Sequence, residues 1–425
     1  MIPSDAPVGL DDAISALVSG AVPQPSETCE VGPDSAIGRV LAADLVADRD
    51  LPPFDRATMD GIALRSTDAG PGAIVPIHGE LAAGREPVRR PPPGSAIRIA
   101  TGAAVPEGLD AVIAKEDLEF RKDRDGESAR IRIEGVRAGR SIHPRGVDAR
   151  AGDRLVAGGT RVDPIVLALA ATVGVTDLPV RRRPRIGVLT TGDELRPIHV
   201  PLDRPEDTSL IRNGNAPMLA AILRGLGALP GPIVHVGDEL EATARMLESL
   251  LGEVDLVLSV GGVSAGDRDF VPRAASNLGL TVGGRGVRVQ PGRPFSWWNE
   301  HGRLRLVGLP GNPVSAFVCT HLLVRPWIDA VLGLDPRPVW TPRRLAAEAR
   351  PNPARTACRP ARFGLDEDGR ATVRVAEWNG SGDLAHLVGT HGLVRLPEQA
   401  SCLPIGAVVD TLAWGVAPPT PGNQP

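Results

Sequence analysis

Between residues 185 and 332 the chain alternates short apolar runs with helical stretches, and this rhythm constrains the fold more than any other feature. "RIGVLTTGDEL", "GPIVHVGDEL", "VDLVLSVGGVSAGDRD" and "LRLVGLPGNP" each climb through apolar residues and end in a turn. "NAPMLAAILRGLGA", "EATARMLESLLGE" and "PVSAFVCTHLLVRPWIDAVLG" carry helical periodicity between or after them. Strands separated by helices predict a mainly parallel sheet covered on both faces, a three-layer α/β domain over residues 181–335. In such sheets ligands bind outside the carboxyl ends of the strands.

With 425 residues the chain is too long for one core, so further domains are expected on either side. "GLDDAISALVSGAV" places Leu10, Ile14, Leu17 and Val18 on one helical stripe, and the first 45 residues read as helix, turn, helix. "DPIVLALAATVGV" reads as a helix that could pack back on them. Residues 1–51 and 141–180 are therefore expected to form one discontinuous helical and extended domain. Residues 52–140 are rich in glycine and proline with short alternating runs, which suits an inserted β-rich domain. Residues 336–417 read as a C-terminal antiparallel β module, barrel-like, and 418–425 as a disordered tail.

Composition excludes several classes. A formal charge of −4 gives no general attraction to nucleic acid or anionic membrane. The longest apolar run noted, 165–175, falls short of the roughly 20 residues a membrane span needs. No export leader is legible, so the expected location is the cytoplasm. The four cysteines, Cys29, Cys319, Cys358 and Cys402, are far apart and form no CxxC pair. Only Lys115 and Lys122 are lysines, so anion contacts fall to arginine or backbone N–H groups.

Every polar cluster of the α/β segment stands where a strand is expected to end. Glu194 follows the first strand, Asp238 the second, and Gly261, Gly262, Ser264, Gly266, Asp267 and Asp269 the third. Pro310, Gly311, Asn312 and Ser315 follow the last. "TTGDEL" also has the spacing of a capping box, in which Thr191 would cap a following helix and Glu194 reach back. Glycines and a hydroxyl before a helix form a turn able to cradle phosphate, and carboxylates beside it need a divalent metal to be tolerated there. "VQPGRPFSW" presents Arg293 between prolines as a further oxyanion ligand. In the β-rich region Asp55, Asp60 and Thr101 offer polar groups in loops. No P-loop, dinucleotide fingerprint, zinc motif or nucleophile and base pair is present.

"PPFDRATMDGIAL", "IRIATGAAVPEGLDAVI", "RPRIGVLTTGDEL", "LVLSVGGVSAGDRDF", "VQPGRPF" and "GLPGNPVSAF" together resemble the molybdopterin molybdotransferase family, the MoeA proteins and the E domain of gephyrin. The resemblance spans nearly the whole chain in the family's order. It implies an elongated homodimer whose active site lies between the α/β domain of one subunit and the inserted β domain of the other. The implied activity is Mg²⁺-dependent insertion of molybdate into adenylylated molybdopterin with release of AMP, in molybdenum cofactor biosynthesis. It implies Asp60, Thr101, Glu194, Asp238 and Asp269 as catalytic residues, with Glu194, Asp238 and Asp269 around the metal. Gly261, Gly262, Ser264, Arg293, Pro310, Gly311, Asn312 and Ser315 would bind substrate, while Asp148 and Ser381 match further family positions. Implied partners are a molybdopterin adenylyltransferase and the recipient molybdoenzymes.

The chain departs from the family pattern at several positions. Arg56-Ala57 stands for Asn-Ser, Asn213 for an aspartate, and His143 for an arginine. Gly286 and Gln290 stand where lysines are frequent. A non-catalytic molybdopterin-binding or scaffold protein of the same fold is the alternative reading, and adenylyl transfer to molybdopterin a third.

Overall fold

A computed structural model describes residues 6–85, 91–124, 126–263 and 269–415. The tail expected at 418–425 and Ser264, Gly266 and Asp267 lie outside the described residues. The chain divides into two compact units. The first comprises Met1–Glu27, Gly38–Ala42 and Pro179–Pro425, and the second Thr28–Ile37 and Ala43–Leu178.

The first unit is built on a six-stranded sheet. Its spatial order is Leu229–Val236, Arg185–Thr191, Leu256–Val260, Arg303–Leu309, Ser296–Glu300, Thr281–Arg285. The first four strands in that order run parallel, while the last two add antiparallel pairs at one edge. Arg185–Thr191 lies in the interior of the sheet. Leu229–Val236, the next strand of this sheet in sequence, pairs on one side, and Leu256–Val260 on the other, so the strand order reverses there and the carboxyl ends part.

The pleat explains why these strands read as unbroken apolar runs. Ile186, Val188, Leu256, Leu258 and Val260 belong to one core cluster, while Leu189 and Val257 belong to another. Helices Leu10–Ser19, Asn215–Gly225 and Pro313–Cys319 contribute to the first cluster, and helices Leu240–Glu253 and Val271–Asn277 to the second. The sheet is therefore the middle of three layers, as the alternation predicts.

The long final helix is continuous from Pro313 to Val331 through a π-helical segment, Thr320–Val324. At 19 residues and mean hydropathy 1.3 it is long and apolar enough to cross a membrane, so the sequence contains a longer apolar helix than 165–175. Its apolar character is that of a core helix, because 78% of it is buried.

A second six-stranded sheet follows in the same unit. Thr356–Leu365, Ala371–Val375, Thr341–Leu345, Val408–Ala413 and Gly392–Leu396 pair in that order, and the last pairs back to Thr356–Leu365, closing a five-stranded barrel. Val289–Gln290 adds outside the ring. The pairing is antiparallel except between Thr341–Leu345 and Ala371–Val375, and at the added strand, which correct the all-antiparallel expectation.

The second unit holds a six-stranded sheet between Gly61 and Ile131, with a core around Ile62, Leu64, Ile97 and Ile113. Helix Pro164–Thr172 also belongs here. Asp163 starts it by accepting from Ile165 N–H and Val166 N–H at 2.9 and 2.8 Å. The early sequence differs from expectation. Helix Leu10–Ser19 buries its stripe in the core of the first unit, not in a body shared with 141–180. No second helix follows it, since Pro23, Pro25, Gly32 and Pro33 interrupt the segment and Ser26–Glu30 is extended.

Candidate active site

A cleft of about 630 Å³ opens where the carboxyl ends of the parallel strands part. Its walls come from four turns: 190–195, 211–215, 260–263 with Asp269, and 310–313. Pro294, Gly382 and Leu384 complete it.

The first turn begins at Thr191. Gly192 has φ +138°, and a Cβ there would fall 2.7 Å from Glu194 Oε1 and 2.8 Å from Glu194 Cδ. Glycine therefore lets the Glu194 carboxylate fold back over the turn. No helix follows, and the buried Thr191 Oγ1 has no hydrogen-bond partner, so the capping box is not formed. Leu195–Arg196 instead pairs with Ile211–Arg212, and Pro197, Pro201 and Pro205 keep the intervening segment out of a long helix.

The third turn is fitted around the first. Gly261 and Gly262 have φ +86° and +63°. A Cβ on Gly261 would stand 3.0 Å from both Thr191 O and Thr191 Oγ1, and one on Gly262 2.8 Å from Thr191 Oγ1. Both conformation and contact require glycine at this pair. Gly261 N–H donates to Leu309 O at 3.3 Å, which brings the third turn to the last strand.

Side-chain amides tie the remaining turns together. Asn213 donates to Thr190 Oγ1 at 2.8 Å and accepts from Ala216 N–H at 3.2 Å. Asn215, first residue of its helix, donates to Gly311 O at 2.7 Å. Asn312 donates to Ser381 Oγ at 2.7 Å, and Val314 N–H to Ser381 O at 3.0 Å, joining the barrel's 380s loop to the cleft. Asp193 Oδ1 accepts from Asp238 N–H at 3.0 Å and staples the first turn to the second. The asparagine and aspartate ties escaped sequence reasoning, because their polar loop residues form no spaced motif.

Of the expected site residues, Glu194, Asp269, Gly261, Gly262, Pro310, Gly311 and Asn312 line the cleft together. Asp238, Arg293 and Ser315 are not among its lining residues; Ser315 is buried in the helix beginning at Pro313. Among the described residues, Glu194 and Asp269 are the only carboxylates that line the cleft, and Arg212 the only cation. Among the described residues no three His, Cys, Asp or Glu side chains gather into a group able to hold a metal ion.

In the second unit Asp60 and Thr101 form a cluster of their own. Asp60 Oδ1 accepts from Thr101 N–H and Thr101 Oγ1, both at 2.8 Å, and Asp60 Oδ2 lies 3.7 Å from Lys115 Nζ. The Thr101 backbone bond, then its hydroxyl and Lys115, hold the Asp60 carboxyl below the usual range. His143 Nε2 lies 2.9 and 3.1 Å from the Asp148 oxygens. Asp55 accepts from Arg145 N–H at 2.8 Å. Arg56 is exposed, while Ala57 is buried in the domain core.

Comparison with known proteins matches both parts. Residues 8–174 fit the MoeA N-terminal region (domain I and II), and 187–330 a probable molybdopterin binding domain. The molybdopterin molybdenumtransferase of Bacillus subtilis is 34% identical over 83% of this chain and 82% of its own. The chain belongs to that family. The family's protein from Synechococcus elongatus is 37% identical over 72% of this chain and 75% of its own. Among solved structures, the molybdopterin biosynthesis MoeA protein of Pyrococcus horikoshii superposes with a TM-score of 0.79 at 28% identity, over 96% of this chain and 99% of its own. Family membership accounts for the three-layer domain and the closed barrel on one chain.

Proposed function

We propose that the chain transfers molybdenum, as molybdate, to adenylylated molybdopterin and releases AMP, a step of molybdenum cofactor biosynthesis. The observation that carries this reading is the cleft itself: two carboxylates and two glycine turns line one space at the point where strand order reverses. The names of the relatives support it. No observation favours the non-catalytic alternative.

Glu194 and Asp269 repel a phosphate unless a cation stands between. The two carboxylates among the described lining residues suit Mg²⁺, which prefers one or two carboxylates and lets substrate phosphate and water complete its shell. In this reading Glu194 and Asp269 would hold Mg²⁺, with Asp238 as a further member, and the ion would supply neutralisation of the phosphate charge. The chain's own contribution is positioning. Gly261 and Gly262 let the backbone approach the substrate closely, and the turn at Pro310, Gly311 and Asn312 closes the opposite wall. Ser264, Arg293 and Ser315 remain proposed substrate ligands. The protein works as a homodimer in the cytoplasm, and the partner subunit's Asp60 and Thr101 complete the cleft.

The test is release of AMP from adenylylated molybdopterin on addition of molybdate. Glu194→Gln and Asp269→Asn are expected to slow it about a hundredfold or more. Failure of the parent protein to release AMP above background would remove the proposal.

A further inference from the structure

Among the described residues that line the cleft, two carboxylates stand with one cation, Arg212. Arg212 occupies the short strand Ile211–Arg212, which runs parallel to Leu195–Arg196. Ile211 N–H donates to Glu194 O at 2.9 Å, so the backbone carrying Arg212 is tied directly to the residue carrying the Glu194 carboxylate. The strand neighbour Arg196 uses its guanidinium on the carbonyls of Asp193 and Leu195, both at 2.8 Å. Arg212 is exposed, and among the described residues no ion pair or side-chain hydrogen bond engages its guanidinium. Arg293, by contrast, stands outside the lining, which its neighbour Pro294 reaches.

An arginine with an unused planar fork, fixed by its backbone at the rim of a cleft, is matched by an oxyanion that accepts two parallel bonds. The glycines across the cleft, Gly261, Gly262 and Gly311, present bare backbone to it. We propose that Arg212 is the binding residue that holds an oxyanion of the substrate in this cleft. The ligand is a tetrahedral oxyanion, either the phosphate of the adenylate or molybdate itself. The argument rests on the proposed reaction only for the identity of these two anions.

Isothermal titration of the full chain with AMP and, separately, with sodium molybdate distinguishes the two sources. Arg212→Gln is expected to weaken at least one of them about tenfold or more, and the ligand affected names the oxyanion. Arg212→Lys should recover part of the loss, since it keeps the charge and loses the fork. The parent's affinity for that ligand should fall with added salt, and the difference from Arg212→Gln should shrink with it. Arg212 is exposed, so matching thermal unfolding curves will show that the variants are folded. Unchanged affinity for both ligands in Arg212→Gln, or no binding of either by the parent up to about 10 mM, overturns the assignment. A parent that binds with Arg212 dependence but releases no AMP instead defeats the proposed reaction and leaves the binding role standing.

Discussion

The side-chain amide of Asn215 donates to the carbonyl oxygen of Gly311 at 2.7 Å, joining the start of one helix to the turn before another. The carbonyl partner fixes which end of the amide carries hydrogen. This bond spans the cleft wall between two loops 96 residues apart in sequence. Replacing Asn215 with Ala should lower stability by about 1 kcal/mol and raise KM for the adenylate several-fold. Urea unfolding and AMP-release kinetics read the two effects, and an unchanged KM would confine Asn215 to the scaffold.

The contact between Gly262 and Thr191 gives a second expectation. Gly262→Ala forces a side chain into φ +63° and sets its Cβ 2.8 Å from Thr191 Oγ1, at a cost of about 1–3 kcal/mol. Adding Thr191→Val leaves a methyl in place of the hydroxyl and should not relieve it, whereas Thr191→Ala should relieve the contact part and leave the backbone strain. A double-mutant cycle by urea unfolding measures the coupling.

His321 makes stability depend on pH. It lies in the core with ring centroids 4.8 Å from Phe317 and 4.7 Å from Trp414, and its Nδ1 has no hydrogen-bond partner. Burial first, and Arg325 second, push its pKa down to about 3 from 6.5. The folded protein thus keeps His321 neutral, while the unfolded chain takes up a proton below about 6.5. This contribution is fully present above that pH and is lost as pH falls from 6.5 towards 3, by at most about 1.4 kcal/mol per unit. Urea midpoints at pH 7 and pH 5 should differ less in His321→Phe than in the parent.

The thiols provide a fourth expectation. Burial raises the pKa of Cys319 strongly and pushes Cys358 up to about 12, and Cys29 is also buried, whereas Cys402 is exposed. Ellman's reagent should titrate one thiol of the four in the native protein and all four in guanidinium. Rapid native labelling of Cys319 or Cys358 would contradict the packing around that pair.

The central domain was legible because its strands are buried on both faces, so Ile186 to Leu189 and Leu256 to Val260 read as unbroken runs. Glu194, Gly261, Gly262 and Gly311 were legible for a related reason: turns at strand ends must supply special backbone. The fate of "TTGDEL" was not, because the capping-box spacing is local while the pairing of Leu195 with Ile211 is not. The missing second helix was foretold by Pro23, Pro25 and Pro33, whose veto outweighs apolar periodicity. Arg212 carried no signal, since one arginine among many in the chain is set apart only by its place in the lining of the cleft.

The barrel closes when Gly392–Leu396 pairs back to Thr356–Leu365. A closed ring offers no strand edge along which to slip or peel, so its loops inherit fixed anchor points. The loop bearing Ser381, Gly382 and Leu384 reaches the cleft from such an anchor. Part of the cleft wall is thereby set by the geometry of a cylinder built elsewhere in the sequence.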